Sequence, residues 1–301
     1  MQRVLVLGGN GFIGRHLLKR LTDEGSYQIQ ALARKEEAPI EGVSYIYSDF
    51  TDTEKFATVV EEADIIYHLI SQSYPFTTWE NPIAEVEQNL LPTLRMLECL
   101  NKEKKQRIIF VSSGGTVYGA SAYNDVEKSI PAPYNPHGII KLCIEHFLRY
   151  IQHRRQHEYI VHRISNVYGP GQNTNKGLGF INTVVEKALA DEAIPVMGDG
   201  NQARDFVFID DVVNVLALSA IHPKVNCTYN LSSGECHSLN ELLQIIETQL
   251  GKSLTRSALA ARPFDFPKIE IDNTPLMSDF NELHFTRIED GIRRTIEALN
   301  A

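Results

Sequence analysis

The 301-residue sequence is poor in cysteine and tryptophan and contains no long apolar run. Its 4 cysteines show no CxxC spacing, so we expect free thiols and neither a disulfide framework nor a metal site. No apolar run approaches the roughly 20 residues of a membrane span. The first residues also lack a charged-then-apolar signal segment. We therefore expect a cytoplasmic protein without a membrane partner.

An excess of positive charge is also absent. The formal net charge is −9, which argues against nucleic acid as a partner, because nucleic-acid binding needs a basic surface. An anionic small substrate remains compatible with this charge, since a few arginines are enough to form a local positive pocket. With 43% hydrophobic residues, the chain can bury a sizeable core as one large domain or as two coupled ones.

The start of the chain carries its clearest motif, VLVLGGNGFIG at residues 4–14. A short apolar run predicts a buried parallel strand, and Leu17, Leu18 and Leu21 recur at helical spacing after it. The glycines between them allow a tight turn, a close approach of the backbone to a pyrophosphate, and close packing of the helix on the strand. The helix N-terminus offers free N–H groups to phosphates. We predict a dinucleotide site formed by Gly8, Gly11, Phe12, Ile13 and Gly14.

The end of the second predicted strand bears on the choice of cofactor. An acidic residue there would hold the adenosine ribose of NAD. Here Arg34 and Lys35 occupy the segment, and no carboxylate appears before Glu36. The cofactor is therefore NAD or NADP(H), and we favour NADP(H) with Arg34 as the partner of the 2′-phosphate. The alternative is a solvated basic turn with NAD as the cofactor.

Apolar runs alternate with amphipathic helical patterns along the first 165 residues. This alternation predicts an α/β fold with a doubly wound parallel (Rossmann) sheet, followed by a smaller C-terminal α/β portion that binds substrate. We expect the dinucleotide-binding domain over 1–165 with a returning segment near 205–235, and the substrate-binding portion over 166–204 and 236–301. The predicted strands after the first are 27–32, 43–47, 64–70, 107–113 and 159–163, and the predicted long helices are 82–100 and 138–153.

Several motifs follow one another in order along the chain. After the glycine turn come Asp49, Asn89, SSGGTVYG at 112–119, Lys141, RISNVYGP at 163–170 and GDGNQARD at 198–205. In this combination the sequence resembles the extended short-chain dehydrogenase/reductase superfamily, and within it the NAD-dependent epimerase/dehydratase family of nucleotide-sugar enzymes. The resemblance implies hydride exchange at C4 of a UDP- or dTDP-hexose, most like a 4-epimerase, and by analogy a role in polysaccharide biosynthesis.

The catalytic motif departs from the family pattern at two positions. Family members carry a Tyr that exchanges the hydroxyl proton, a Lys four residues later on the same helix face, and a Ser or Thr at the end of the fifth strand. Here Lys141 matches, but the tyrosine position holds His137 and the Ser/Thr position falls on Gly114. Ser113 and Thr116 flank that glycine as candidate hydroxyl groups.

Three interpretations of this departure stay open. In the first, His137 is the acid/base, with a pKa near 6.5 that suits proton transfer, and Lys141 chiefly holds the ribose. In the second, Tyr134 supplies the missing phenol. In the third, the protein binds a cofactor or a nucleotide sugar and is catalytically silent. A separate alternative to epimerisation is an NADPH-dependent nucleotide-4-keto-sugar reductase.

The resemblance also implies the remaining contacts. The cofactor residues beyond the glycine turn would be Asp49, Phe50, Leu69 and Lys141. Guanidinium groups bind phosphate bidentately, and the residues implied for the substrate diphosphate are Asn166, Arg204 and Arg262. Family members often pair through two helices per subunit, so we expect a homodimer formed through 82–100 and 138–153.

Overall fold

The structure is a computed structural model of the chain, and it describes residues 1–72, 81–119, 121, 123–174, 179–260, 267–281 and 283–300. The predicted phosphate ligand Arg262 lies outside these residues. The chain divides into two compact units. The first unit contains Met1–Gly119, Ile130–Arg163 and Val213–Tyr229, and the second contains Ala120–Ser129, Ile164–Val212 and Asn230–Ala301.

Strands and helices alternate along most of the chain. The strands are β1 (Gln2–Leu7), β2 (Tyr27–Ala33), β3 (Val43–Tyr47), β4 (Ile65–His68), β5 (Arg107–Ser113), β6 (Tyr123–Asn124), β7 (Glu158–Ile164), β8 (Asn166–Tyr168), β9 (Ile194–Met197), β10 (Ala203–Phe208), β11 (Cys227–Leu231), β12 (Cys236–Ser238), β13 (Arg256–Leu259) and β14 (Lys268–Ile271). The helices are α1 (Phe12–Glu24), α2 (Ala57–Glu62), α3 (Pro82–Glu85), α4 (Leu91–Glu98), α5 (Pro136–Arg155), α6 (Phe180–Leu189), α7 (Ile209–Ser219), α8 (Leu239–Leu250), α9 (Thr274–Asp279) and α10 (Ile288–Leu299). A 3-10 turn covers Thr53–Lys55, and a π-helical turn covers Val86–Leu90.

The main sheet has the strand order β11-β7-β5-β4-β1-β2-β3. The pairs β1–β2, β1–β4, β2–β3 and β4–β5 are parallel. Strand β4 is buried along its whole length, as expected of a strand covered on both faces. The strand order reverses at β1, so the carboxyl ends of β1 and β4 border a crevice. The prediction of a doubly wound parallel sheet is confirmed.

Helix α5 begins two residues before its predicted start, at Pro136. The side chain of Asn135 accepts a hydrogen bond from the Gly138 N–H at 2.7 Å and caps the helix. Proline at the first helical position costs nothing, because its missing N–H would have no helical partner there. The capping residue and Pro136 therefore place His137 in the first turn of α5.

The predicted helix 82–100 is divided by the π-helical turn at Val86–Leu90. Helix α4 follows this turn directly, and Pro92 is its second residue. Proline has no N–H to donate to the carbonyl four residues earlier, and its ring crowds that carbonyl, so the preceding turn widens. Glu85 and Asn89, at the two ends of the widened region, are both buried.

The second unit has its own sheet, with the strand order β12-β10-β14-β6 and with β8 paired to β10. Strand β6 belongs here because it pairs with β14, and β10 belongs here because it pairs with β8, β12 and β14. The bounds of the units thus differ from the predicted division at residues 120–129, 164–165, 205–212 and 230–235. Among the described residues, no helix is both long and apolar enough to cross a membrane.

Candidate active site

In the glycine turn after β1, the backbone at Gly14 passes close to the backbone at Gly8. A Cβ atom on Gly14 would lie 2.2 Å from the carbonyl oxygen of Gly8, so only glycine fits there. Gly8 itself has a φ of +95°, a region that favours glycine. Helix α1 starts with no side-chain cap and no acidic residue in its first turn. Its first N–H groups and positive dipole end therefore suit an anionic group such as a pyrophosphate.

The loop after β2 is tied to this turn. Asn10 donates to the carbonyl oxygen of Lys35 at 2.8 Å. Arg15 donates to the carbonyl oxygens of Glu37 and Ala38, both at 3.1 Å. Arg34 is exposed at the start of the loop. The two tethers from the glycine turn and α1 fix the backbone beside Arg34, and the sequence did not predict them.

Asp49 lies exposed beyond β3 and accepts two hydrogen bonds from Thr51, from the hydroxyl at 2.7 Å and from the N–H at 2.9 Å. These hydrogen bonds hold the pKa of Asp49 below its ordinary value, and the charge of Arg34 acts in the same direction. Asp49 is therefore an exposed carboxylate whose pKa the charge of Arg34 helps to lower. Both residues were predicted to contact the cofactor.

Phe50 and Leu69 differ in what they could offer a cofactor. The Phe50 ring is buried and stacks on Phe56 with 5.9 Å between ring centroids. Only its backbone could face a ligand. Leu69 is half-buried, and a Cβ atom on Gly8 would lie 3.6 Å from its carbonyl carbon. The structure therefore brings Leu69, but not the Phe50 side chain, up to the glycine turn.

One face of α5 carries His137, Lys141 and Glu145 at intervals of four residues, and all three are buried. The ammonium group of Lys141 donates to the carbonyl oxygen of Val111 at 2.9 Å. It also lies over the Phe110 ring, 4.8 Å from the centroid. Burial lowers the pKa of Lys141 to about 8, although the carboxylates of Glu145 and Glu85 act in the opposite direction.

His137 differs from the expectation of a pKa near 6.5. Burial lowers its pKa to about 3, and the neighbouring Lys141 charge acts in the same direction. The imidazole is therefore neutral at physiological pH and is a weak base. Of His137 and Lys141, the group whose pKa lies closer to neutrality is Lys141. The expectation failed because the sequence does not reveal how completely the first turn of α5 is buried.

Glu145 is the centre of a buried ion pair. Its carboxylate accepts from Arg163 at 2.7 Å and from the Ser112 hydroxyl at 2.5 Å. The Arg163 guanidinium also lies over the Tyr118 ring, 4.8 Å from the centroid. Buried charges of this kind are tolerated only when paired and hydrogen-bonded. The regular spacing of 137, 141 and 145 was a signal in the sequence that could have identified Glu145.

A second buried polar group lies on α3 and the π-helical turn. Asn89 donates to the Glu85 carboxylate at 3.2 Å and accepts from the N–H of Gln72 at 2.8 Å. The Thr93 hydroxyl donates to the Asn89 carbonyl at 2.6 Å, so His68 Nε2, 2.8 Å from the same hydroxyl, must be the donor to it. Burial lowers the pKa of His68 to about 3, with a further contribution from the Lys141 charge. The ring is therefore neutral.

The candidate hydroxyl groups are placed differently from one another. Thr116 is buried, and its hydroxyl has no hydrogen-bond partner among the described residues. Its carbonyl would lie 2.6 Å from a Cβ atom on Gly138, so this turn packs directly against the first turn of α5. Ser113 ends β5, and Gly114 is buried after it. Tyr134 is 45% exposed and precedes the capping residue of α5, outside the buried face.

In the second unit, two predicted substrate residues lie on paired strands. The side chain of Asn166, at the start of β8, donates to the carbonyl oxygen of Asp205 in β10 at 2.8 Å. Arg204 precedes Asp205, is half-buried and donates to the carbonyl oxygen of Ala203 at 2.8 Å. Asn166 and Arg204 thus lie on two paired strands of the second unit. Within the described ranges, no three His, Cys, Asp or Glu side chains are grouped to hold a metal ion.

The chain is similar to known proteins over most of its length. Residues 4–232 match the profile of the NAD dependent epimerase/dehydratase family. A protein of Methanocaldococcus jannaschii named "Putative UDP-glucose 4-epimerase" is 31% identical over 256 residues, which cover 82% of each chain. The dTDP-4-dehydro-6-deoxyglucose reductase of Escherichia coli is 26% identical over 98% of this chain and 97% of its own.

A solved structure supports the same relationship. The UDP-glucose 4-epimerase of Thermus thermophilus, in complex with NAD, superposes with a TM-score of 0.89 at 27% identity and covers 99% of each chain. The match of the family profile extends through the glycine turn, the α5 face and the Asn166–Asp205 pair. The chain belongs to the NAD-dependent epimerase/dehydratase family of the short-chain dehydrogenase/reductase superfamily.

Proposed function

We propose that this protein is a nucleotide-sugar 4-epimerase that exchanges hydride at C4 of a UDP- or dTDP-hexose with a nicotinamide cofactor. The observation that carries the proposal is the buried α5 face, where Lys141 has a pKa of about 8 next to a turn whose Thr116 hydroxyl lacks a partner in the described part of the chain. In the proposed complex, Lys141 exchanges a proton with the sugar hydroxyl and Thr116 hydrogen-bonds the same oxygen. The epimerases among the relatives support this reaction class.

The glycine turn fits the pyrophosphate of the cofactor, because Gly14 leaves room for close backbone approach and the start of α1 is uncapped. When bound, the nicotinamide supplies the acceptor and donor of the hydride. The residues that would hold the dinucleotide are Gly8, Gly11, Phe12, Ile13, Gly14, Asp49, the Phe50 backbone, Leu69 and Lys141.

Arg34 favours NADP(H) over NAD. It is exposed at the end of β2, and the tethers from Asn10 and Arg15 fix the backbone around it. Arg34→Ala is expected to weaken NADPH binding roughly tenfold, the loss of one charge-assisted contact, and to leave NADH binding nearly unchanged. Titration of both cofactors against both proteins measures this. A native protein that binds NADH more tightly than NADPH contradicts the assignment.

Lys141 is the proposed acid/base, and neutral His137 is proposed to orient the sugar oxygen. At pH 7 about a tenth of a group with a pKa near 8 is unprotonated, which is enough for a base. Lys141→Met is expected to reduce kcat roughly 10²–10⁴-fold. His137→Gln, which keeps a neutral hydrogen-bond donor, is expected to cost about tenfold. Equal losses of kcat in the two variants would favour His137 as the acid/base.

The substrate diphosphate is proposed to bind in the second unit, which would be the substrate-binding portion of the chain. Asn166 and Arg204 lie on paired strands there, and Arg262 is a further candidate. Arg204→Ala is expected to raise KM for the nucleotide sugar and to leave cofactor binding intact. Unchanged KM in this variant would remove Arg204 from the diphosphate site.

A homodimer formed through α3, α4 and α5 is also proposed. These helices and the π-helical turn expose apolar side chains that a monomer would leave in water: Ile83, Val86, Leu91, Ile139, Phe147 and Tyr150. Exposed apolar clusters mark interaction surfaces. Sedimentation of the native protein at micromolar concentration is expected to give a dimer, and Phe147→Glu is expected to shift it towards monomer. A native protein that sediments only as a monomer would contradict the pairing.

The second candidate function is an NADPH-dependent nucleotide-4-keto-sugar reductase. Arg34 favours it, and so does the reductase among the relatives. The loss of the usual Tyr and Ser/Thr leaves a third candidate, a catalytically silent binding protein. The sequence motifs at 112–119 and 198–205 favour the epimerase over both.

One experiment separates the three candidates. The purified protein is denatured, the released nicotinamide is identified, and reduced-cofactor absorbance is followed with 4-hydroxy and 4-keto nucleotide sugars. Retained cofactor with an interconverted sugar and no net redox supports the epimerase. Net NADPH consumption supports the reductase, and bound cofactor without turnover of any sugar supports the binding protein.

A further inference from the structure

The turn that carries Thr116 contains two adjacent glycines, Gly114 and Gly115. Gly115 is exposed, and a Cβ atom there would meet nothing within 4 Å. Within the turn, the N–H of Val117 donates to the Ser113 carbonyl oxygen at 3.1 Å, and the N–H of Thr116 donates to it at 3.4 Å. Glycine backbone has many accessible conformations. The position of Thr116 therefore depends on what holds the two ends of the turn.

The residue before the turn is held by Glu145. The hydroxyl of Ser112, near the end of β5, donates to the Glu145 carboxylate at 2.5 Å. One residue earlier in the strand, the Val111 carbonyl oxygen accepts from the Lys141 ammonium at 2.9 Å. Lys141 and Glu145 are four residues apart on α5, so they lie on one face of the helix and meet consecutive residues of the strand. These two contacts fix α5 against the end of β5.

The residue after the turn is held by Arg163. Tyr118 is buried, and the Arg163 guanidinium lies over its ring, 4.8 Å from the centroid. Arg163, in β7, is also the ion-pair partner of Glu145, to which it donates at 2.7, 3.2 and 3.3 Å. One buried ion pair thus contacts both ends of the turn, because its carboxylate binds Ser112 and its guanidinium contacts Tyr118.

We propose that Glu145 and Arg163 are positioning residues that hold the turn at 113–117 closed and keep Thr116 against the first turn of α5. A planar guanidinium that is paired and buried has a fixed orientation, so it can fix the ring beneath it. The turn is already packed closely on α5, since a Cβ atom on Gly138 would lie 2.6 Å from the Thr116 carbonyl oxygen. The catalytic consequence, a fall in kcat larger than any rise in KM, rests on the proposed function. The closure of the turn does not depend on turnover.

Amide hydrogen exchange in the unliganded full-length protein tests the proposal, because the N–H groups of Thr116 and Val117 exchange when the turn opens. Ser112→Ala removes the contact at one end of the turn. Arg163→Lys retains the charge but loses the planar group that lies over Tyr118. Each variant is expected to increase the exchange rates of both amides about tenfold, the effect of losing one charge-assisted contact. An unchanged rate in either variant would overturn the proposal.

Matched variants separate opening of the turn from a general loss of stability. Ser219→Ala removes a buried hydroxyl of the same unit, which contacts His162 and the Val215 carbonyl oxygen, and it is expected to leave both exchange rates unchanged. An increase in Ser219→Ala as large as that in Ser112→Ala would also overturn the proposal.

Two further variants test the contact with the ring. Tyr118→Phe keeps an aromatic ring beneath the guanidinium, so its exchange rates are expected to stay closer to those of the native protein than the rates of Tyr118→Leu. This comparison also replaces Arg163→Lys if that variant does not fold, and equal increases in the two Tyr118 variants would contradict the role of Arg163. Because exchange needs neither cofactor nor sugar, these outcomes are distinct from a failure to find epimerase activity.

Discussion

The glycine turn and the buried face of α5 belong to the same unit, but their properties arise in different ways. In the glycine turn, the backbone itself sets the requirement, since any side chain at Gly14 would collide with the Gly8 carbonyl at 2.2 Å. On the α5 face, burial and neighbouring charges set the requirement. Burial lowers the pKa of Lys141 to about 8 against the opposing effect of neighbouring carboxylates, and burial together with the Lys141 charge lowers the pKa of His137 to about 3.

This difference decides what a sequence reveals about each region. A steric requirement selects one residue type, so glycine at a fixed spacing is itself the signal. A protonation state depends on how deeply a side chain is buried and on which charges surround it. Around Lys141 those charges are Glu145 on α5 itself and Glu85 on α3, which is distant from α5 along the chain. At the protein surface, the same residue types would have pKa values closer to their ordinary ones.

The largest effect is expected from the ion pair beneath the α5 face. Glu145→Ala leaves the buried guanidinium of Arg163 without its partner and Lys141 without one of its two carboxylates, so we expect the free energy of unfolding to fall by about 3–5 kcal/mol. Urea denaturation at pH 7 measures it. Glu297→Ala breaks an exposed pair with Arg293 on α10 and is the control, for which no measurable change is expected. Similar losses of unfolding free energy in the two variants would show that the buried ion pair is no more stabilising than the exposed one.

The second-largest effect on stability is expected from a substitution in the glycine turn. Gly14→Ala forces a Cβ atom against the Gly8 carbonyl, so we expect a loss of about 3 kcal/mol in stability together with the loss of cofactor binding. Gly115→Ala is the control, because a Cβ atom at Gly115 meets nothing within 4 Å. Thermal unfolding and cofactor titration compare the two. Cofactor binding of native strength in Gly14→Ala would show that the turn is not the pyrophosphate site.

A smaller effect on the free energy of unfolding is expected when the pH is lowered. The pKa of His137 is about 3 in the folded protein, against an ordinary value of 6.5. The unfolded chain therefore binds the proton first as the pH falls below 6.5, and stability declines from there to about pH 3. Each such histidine contributes a slope of about 1.4 kcal/mol per pH unit. Between about pH 6 and pH 4, His137→Gln is expected to reduce the slope of the unfolding free energy by this amount.

The control for this prediction is His146→Gln, on the same helix but exposed. This variant removes an exposed histidine and leaves the buried His137 in place. Urea denaturation at several pH values gives the slope for each protein. Equal slopes in native protein and His137→Gln would mean that His137 is not held neutral by burial.

The sequence by itself determined the family, the doubly wound sheet and the glycine turn, because hydrophobic periodicity and obligatory glycines are local properties. It also located His137 and Lys141 on one helix face, since residues four apart in a helix face the same way. Only the tertiary structure decided how these residues are charged. The π-helical turn before Pro92 buries Glu85 and Asn89, and the packing of α5 buries His137 and Lys141. Burial and opposing charge are sums over distant parts of the chain, so no single stretch of sequence contains them.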